Sequence, residues 1–168
     1  LDAAGMVPNK SGNVSCRIPE GFAITPAGMP YRELLPQHIV SVALDAPAPA
    51  TAARPSSEWR MHAAIYRARP DVTAIVHTHS PRATALASAG RGIPPFHYMI
   101  ALAGGDVRCM PYATFGTPEL ADSAVRGLDG RRACLLGNHG VMAVGNSLAR
   151  AHAVAIEVEN LAGEYLSL

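Results

Sequence analysis

Val72-Thr73-Ala74-Ile75-Val76-His77-Thr78-His79-Ser80-Pro81 holds a short strand, two histidines and the start of a helix in ten residues. The run Val72–His77 is apolar and β-branched, and too short for a helix, so it reads as a buried strand. Arg69-Pro70 before it ends a helix, because proline cannot continue one and pushes its predecessor out of helical angles. Ser80-Pro81 after it opens another helix, reaching about Ala89 and closed by Gly90. A strand set between two helices points to the α/β class.

The same alternation extends outward. Upstream, strands are expected at about Asn13–Arg17, Gly21–Thr25 and Ile39–Leu44. Ser56 or Ser57 caps a helix that runs to about Ala68. Downstream, Val107–Met110 is a short strand, and Thr117–Gly127 is a helix with Pro118 in its first turn. Strands Ala133–Leu136 and Val141–Val144 flank the turn Gly137-Asn138-His139-Gly140. Leu148–Tyr165 is the longest helix, with an apolar stripe through Ala151, Val154, Val158, Leu161 and Tyr165. Interleaved strands and helices predict a central sheet covered by helices on both faces. The Ala/Pro-rich stretch Ala46–Pro55 can hold neither a helix nor an inner strand, so it reads as an exposed loop. It does not separate two domains, since the part before it is too short to fold alone. Gly5 reads as a helix C-cap, so the chain is expected to open inside the last turn of a helix.

The bulk numbers narrow the function classes. The 168 residues, 49% apolar and 16% charged, suit one globular domain with its own core. A net charge of +1 gives no overall field favouring nucleic acid or a membrane surface. No apolar run approaches the roughly 20 residues needed to span a bilayer. The first residues lack the basic and apolar regions of a signal peptide. Cys16, Cys109 and Cys134 are odd in number and scattered, without a CxxC, so a cytoplasmic location without disulfides is expected.

The chemistry gathers on histidines. Residues i and i+2 of a strand share a face, so His77 and His79 can close on one ion at the strand's exit. Alone, the pair could equally be stray core or surface histidines. His139 lies in a tight turn between two strands, where Gly140 could take positive φ and let the ring approach a site; a solvated turn histidine is the other reading. Three neutral imidazoles would leave the ion's charge intact and a position open, as a catalytic zinc site requires. His38, His62, His97 and His152 are assigned to structure, with His97 the candidate for a role behind the ligands. Glu58 stands in a helix's first turn, either as a dipole-complementing surface residue or as a carboxylate beside a bound anion. Ser56, Ser57 and the free N–H groups there suit phosphate. Ser11-Gly12-Asn13 and Thr25-Pro26-Ala27-Gly28 are further small-residue turns that could aim donors at the same anion. There is no Gly-Lys-Ser/Thr phosphate loop.

Seven segments occur together and in order: SGNVSCR (Ser11–Arg17), ITPAGMPY (Ile24–Tyr31), PSSEWRMH (Pro55–His62), RPDVTAIVHTHS (Arg69–Ser80), IPPFHYMIALAGG (Ile93–Gly105), PYATFGTPELA (Pro111–Ala121) and NHGVMAVG (Asn138–Gly145). With them the chain resembles the class II aldolase/adducin family, most closely its fuculose-phosphate-cleaving members. The resemblance implies a three-layer α/β/α sandwich around a mixed, largely antiparallel sheet. It implies one catalytic domain over residues 1–168, without the family's first helix and C-terminal tail. It further implies zinc, or another divalent transition metal, on Glu58, His77, His79 and His139. Glu58 doubles as the proton shuttle, and phosphate is held by Gly12, Asn13, Gly28, Ser56 and Ser57. Tyr112 matches a catalytic tyrosine that reaches a neighbouring subunit's site, and the implied assembly is a homotetramer with interfacial sites. Ala27 stands where the family has a threonine donor.

The implied reaction is reversible cleavage of a ketose 1-phosphate, L-fuculose 1-phosphate or similar, to dihydroxyacetone phosphate and an aldehyde. Metal chemistry needs no Schiff-base lysine, and Lys10, in an exposed turn, is the only lysine. A pentulose-phosphate 4-epimerase, a sugar-phosphate dehydratase or a decarboxylase of the same fold are the enzymatic rivals. An adducin-like, non-enzymatic module is disfavoured by the complete His/Glu set.

Overall fold

The computed structural model describes residues 1–45 and 54–168; positions 46–53 of the expected Ala/Pro-rich loop lie outside the described residues. The strands are β1 (Asn13–Ile18), β2 (Gly21–Ile24), β3 (Val40–Ala43), β4 (Ala74–Thr78), β5 (Arg108–Met110), β6 (Ala133–Leu136) and β7 (Gly140–Gly145). The helices are α1 (Trp59–Ala68), α2 (Pro81–Ser88), α3 (Pro118–Gly127) and α4 (Leu148–Leu166). The seven strands form one sheet in the order β3-β2-β1-β4-β7-β6-β5. Every pairing is antiparallel except β5 with β6, which α3 joins as a crossover.

Period-two alternation splits the core into two halves. Along β4, Ala74 and Val76 enter the core shared with α2 and α4, whereas Ile75 enters the core shared with α1 and α3. β7 does the same, with Val141 and Ala143 on the first face and Met142 and Val144 on the second. This is the expected three-layer α/β/α sandwich, mixed and largely antiparallel. Both faces of the central strands are covered, which is why they read as unbroken apolar runs rather than alternating ones.

Two local expectations shift. The N-cap of α1 is Glu58, with Ser56 Oγ accepting from the Glu58 N–H at 3.3 Å. The serines are displaced because the segment is first tied to β2's exit: Ser56 N–H donates to Thr25 O, and Pro55 bridges Pro26. In the turn before β7, Asn138 takes the positive φ (55°), in place of Gly140. Gly140 is needed for room. A Cβ there would lie 2.3 Å from Thr78 O and 3.0 Å from the His79 ring. At the chain start, Gly5 has positive φ, and Met6 and Gly5 N–H groups donate back to Leu1 and Asp2 carbonyls, the hydrogen-bond pattern of a helix C-terminus.

Gly140→Ala should therefore cost about 1–3 kcal/mol, the usual range for overpacking, and displace His79. Urea unfolding of the variant checks this; unchanged stability would show that β7 does not press on β4 there.

Candidate metal centre and adjoining cavity

Four elements converge on one point. β4 runs toward it and delivers His77 from its penultimate position and His79 one residue past its end. Odd positions of β4 face α1, so His77 falls on the side where Glu58 begins that helix. The β6–β7 turn supplies His139, with His139 N–H donating to Leu136 O and Asn138 N–H to Ala87 O. β1 runs antiparallel to β4 with Asn13 directly opposite His77.

The side chains meet closely. One potential ligand atom from each of Glu58, His77, His79 and His139 lies within 4.8 Å of all the others. The three rings are mutually edge-on, with centroids 4.9 Å apart in every pair. Glu58 Oε2 is 3.1 Å from His77 Nε2, and Oε1 is 3.1 Å from His139 Nε2. His77 Nδ1 donates to Val141 O at 2.9 Å, so its neutral form turns the Nε2 lone pair into the cluster.

A cation fits this arrangement. Among the described residues, Glu58 Oε1 is buried without any hydrogen-bond partner; the His139 contact is close but not aligned as a hydrogen bond. A buried polar atom left this way costs about 1–3 kcal/mol, and more when charged. His77 Nε2 and His79 Nε2 stand 3.0 Å apart, and a shared proton can join only that one pair. A divalent ion held by the three imidazoles and the carboxylate would satisfy all four at once.

The electrostatics agree. Burial alone would raise the Glu58 carboxyl, but positive charge on His77 and the contacts of His139 and His77 hold it well below the carboxylate range. Burial, and then the charges of His77 and His139, lower His79 to about 4, keeping it neutral and able to donate a lone pair. His77 is pushed down by burial, yet the Glu58 charge outweighs this and raises it. A proton and a metal thus compete for His77 Nε2.

Beside the cluster lies a cavity of about 390 Å³. Its wall carries Gly12, Asn13, Gly28, Ser56, Ser57, Glu58, His79, Tyr112 and His139, so nearly all the residues singled out in the sequence border one space. His77 is the exception, fully buried behind it. Gly12 has φ +74°, and a Cβ there would meet His77 O at 2.5 Å, so only glycine fits between β4 and the cavity. Tyr112 is 61% exposed and borders the cavity of its own chain.

Three features were not anticipated. Lys10, an exposed residue, borders the cavity beside Ser11, on the side expected to meet an anion. Ser11 Oγ on that wall is buried without a partner among the described residues. His62, read as a structural histidine, is fully buried and hydrogen-bonded to Asn13, which in turn donates to Glu58. His97, favoured for that role, instead caps a short 3-10 turn through Nδ1 and packs on Tyr98. The three cysteines are free, and burial raises the Cys134 thiol to about 12, consistent with a packing role.

Comparison with known proteins decides the family. The model of the Class II Aldolase and Adducin N-terminal domain matches residues 1–166. The chain belongs to the class II aldolase and adducin family. A 5-methylthioribulose-1-phosphate/5-deoxyribulose-1-phosphate aldolase of Rhodospirillum rubrum is 48% identical, covering 96% of this chain and 73% of its own length. The L-fuculose phosphate aldolase of Escherichia coli is 46% identical over 97% of this chain and 76% of its own length. A solved L-fuculose 1-phosphate aldolase superposes with a TM-score of 0.92 at 40% identity, covering 98% of this chain and 78% of that one. The chain is a class II aldolase, a carbon–carbon lyase with a His/Glu metal-binding group. Among the described residues no helix is long and apolar enough to cross a membrane.

Stripping the aldolase with a chelator should lower its melting temperature, and adding back a divalent ion should restore it. His77→Ala should abolish stoichiometric metal, measured by plasma mass spectrometry. A metal-loaded His77→Ala protein would remove His77 from the ligand set.

Proposed function

We propose that this aldolase is zinc-dependent and reversibly cleaves a ketose 1-phosphate to dihydroxyacetone phosphate and an aldehyde. The observation that carries the reading is the partnerless Glu58 Oε1 among three imidazoles, at the wall of a cavity large enough for a small phosphorylated sugar. The substrates in the names of the relatives, 5-methylthioribulose, 5-deoxyribulose and fuculose phosphates, are all phosphorylated ketoses. As 1-phosphates they share the three-carbon end that becomes dihydroxyacetone phosphate and differ in the aldehyde end.

The phosphate is assigned to Gly12, Asn13, Gly28, Ser56 and Ser57, small and hydroxyl-bearing residues that border the cavity together with the cationic Lys10. When bound, the ion supplies Lewis-acid stabilisation of the negative charge that builds on the C2 oxygen as the C3–C4 bond breaks. Tyr112 assists the transfer of the proton that leaves the C4 hydroxyl as the aldehyde forms, its hydroxyl passing one proton on as it takes the other. Glu58, a carboxylate at rest, takes up the proton released from the C4 hydroxyl and delivers it to C3 of the enediolate fragment, completing dihydroxyacetone phosphate. Glu58 suits this because it borders the cavity and its carboxylate is held by neighbours on one oxygen only. The free thiols favour a cytoplasmic protein. Exposed Tyr98 and Phe115 favour association, read as a homotetramer.

A coupled assay across these three ketose 1-phosphates should show dihydroxyacetone phosphate release from at least one. Glu58→Gln should retain protein-bound metal but lose about 10²–10⁴ in turnover, as removal of a general acid–base group does. Turnover equal to the parent in that variant would reject the role given to Glu58.

A further inference from the structure

Behind Glu58 a chain of buried polar groups leads into the core between β1 and α1. Asn13 Nδ2 donates to Glu58 Oε2 at 2.8 Å. Asn13 Oδ1 lies 2.5 Å from His62 Nε2. His62 Nδ1 is 2.7 Å from Ser15 Oγ, which is 2.8 Å from the Tyr66 hydroxyl. Ser15, His62 and Tyr66 are at most 2% exposed, and none of them borders the cavity.

The donors in this chain can run in only one direction. The Glu58 carboxylate has no proton to give, so Asn13 must turn its NH2 toward it. The Asn13 carbonyl then points at His62 and needs a donor, which must be Nε2–H. Nδ1 of the neutral ring is left as an acceptor and takes the Ser15 hydroxyl proton. Ser15 Oγ in turn accepts from Tyr66. Every hydrogen bond satisfies a buried group, and reversing any one leaves two acceptors or two donors in contact. The Glu58 charge sets the flip of the Asn13 amide, and His62 Nε2–H holds that flip by satisfying the carbonyl it turns into the core.

We propose that His62 is a positioning residue for Glu58: by donating from Nε2 it holds the Asn13 amide so that its NH2 grips Oε2, beside His77, and leaves Oε1 beside the His139 ring. The inference rests on the reading of Glu58 as the acid–base group. A histidine packed only for shape would need neither this tautomer nor two aligned polar neighbours. Burial keeps the ring neutral, lowering it to about 3, so the donor–acceptor polarity stays fixed across the working range.

The tautomer can be read without any variant. Ring nitrogen-15 shifts of His62 in the metal-loaded protein at neutral pH should show a proton on Nε2; a proton on Nδ1 would overturn the proposal. His62→Phe keeps the shape but removes the donor. It should lower kcat by about 10–100-fold, the range for partners behind a ligand, with KM and bound metal near the parent values. His62→Gln can donate to Asn13 and accept from Ser15, and should recover most of kcat. Parental kcat in the Phe variant, or equal loss of kcat and metal in both variants, would refute the positioning role. Failure of the underlying reading shows elsewhere: an active Glu58→Gln enzyme removes the acid–base assignment while the tautomer result stands.

Discussion

A carboxylate is expensive to bury, and Glu58 is 7% exposed, with one oxygen accepting from Asn13 and the other, among the described residues, accepting no hydrogen bond. Much of the architecture around it can be understood as the means of tolerating that. Three imidazoles close the remaining directions, and a divalent cation at their centre turns an unfavourable concentration of lone pairs into a coordination sphere. The constraint is mutual. Without the carboxylate, the three edge-on rings would have no anionic partner, and without the rings the carboxylate would be an uncompensated buried charge.

The sheet sets the positions. β4 is the central strand and is covered on both faces, so its end is fixed by the whole core rather than by a loop. From there His77 and His79 project on the α1 side, β1 brings Asn13 opposite His77, and β7 packs so tightly on Thr78 that Gly140 admits no side chain. His79 is further pinned by its N–H donating to Met6 O. The cavity then opens on the exposed side of this rigid group, bordered by small-residue turns at Gly12, Gly28 and Ser57. A rigid ligand set beside a wall of small residues suits a reaction in which one end of the substrate is always the same and the other varies.

The sequence made the histidine pair legible because strand periodicity is strict: two residues apart means one face. His139 and Glu58 were legible only as candidates, since a turn histidine and a helix-start glutamate each have ordinary explanations, and the ordered motifs of the family joined them. The β-strands and helices were placed within a residue or two, helped by Pro and Gly at their ends. What the sequence hid depends on long-range packing. His62 stands 49 residues from Asn13, on a helix where a lone histidine looks unremarkable, and its importance arises only when β1 and α1 come together. Lys10 is exposed, as its turn suggested, but nothing local says that this turn borders the cavity. In the Asn138–Gly140 turn, both residues tolerate positive φ; Gly140 already pairs with Leu136 as the first residue of β7, and Asn138 takes the positive φ.

On this geometry Glu58, His77, His79 and His139 bind one ion together. X-ray absorption fine structure at the edge of the bound metal tests it most directly in the purified protein. Three imidazole scatterers and an oxygen donor are expected, with the imidazole count falling to two in His139→Ala. A sulfur scatterer, or an imidazole count unchanged by that substitution, would contradict it.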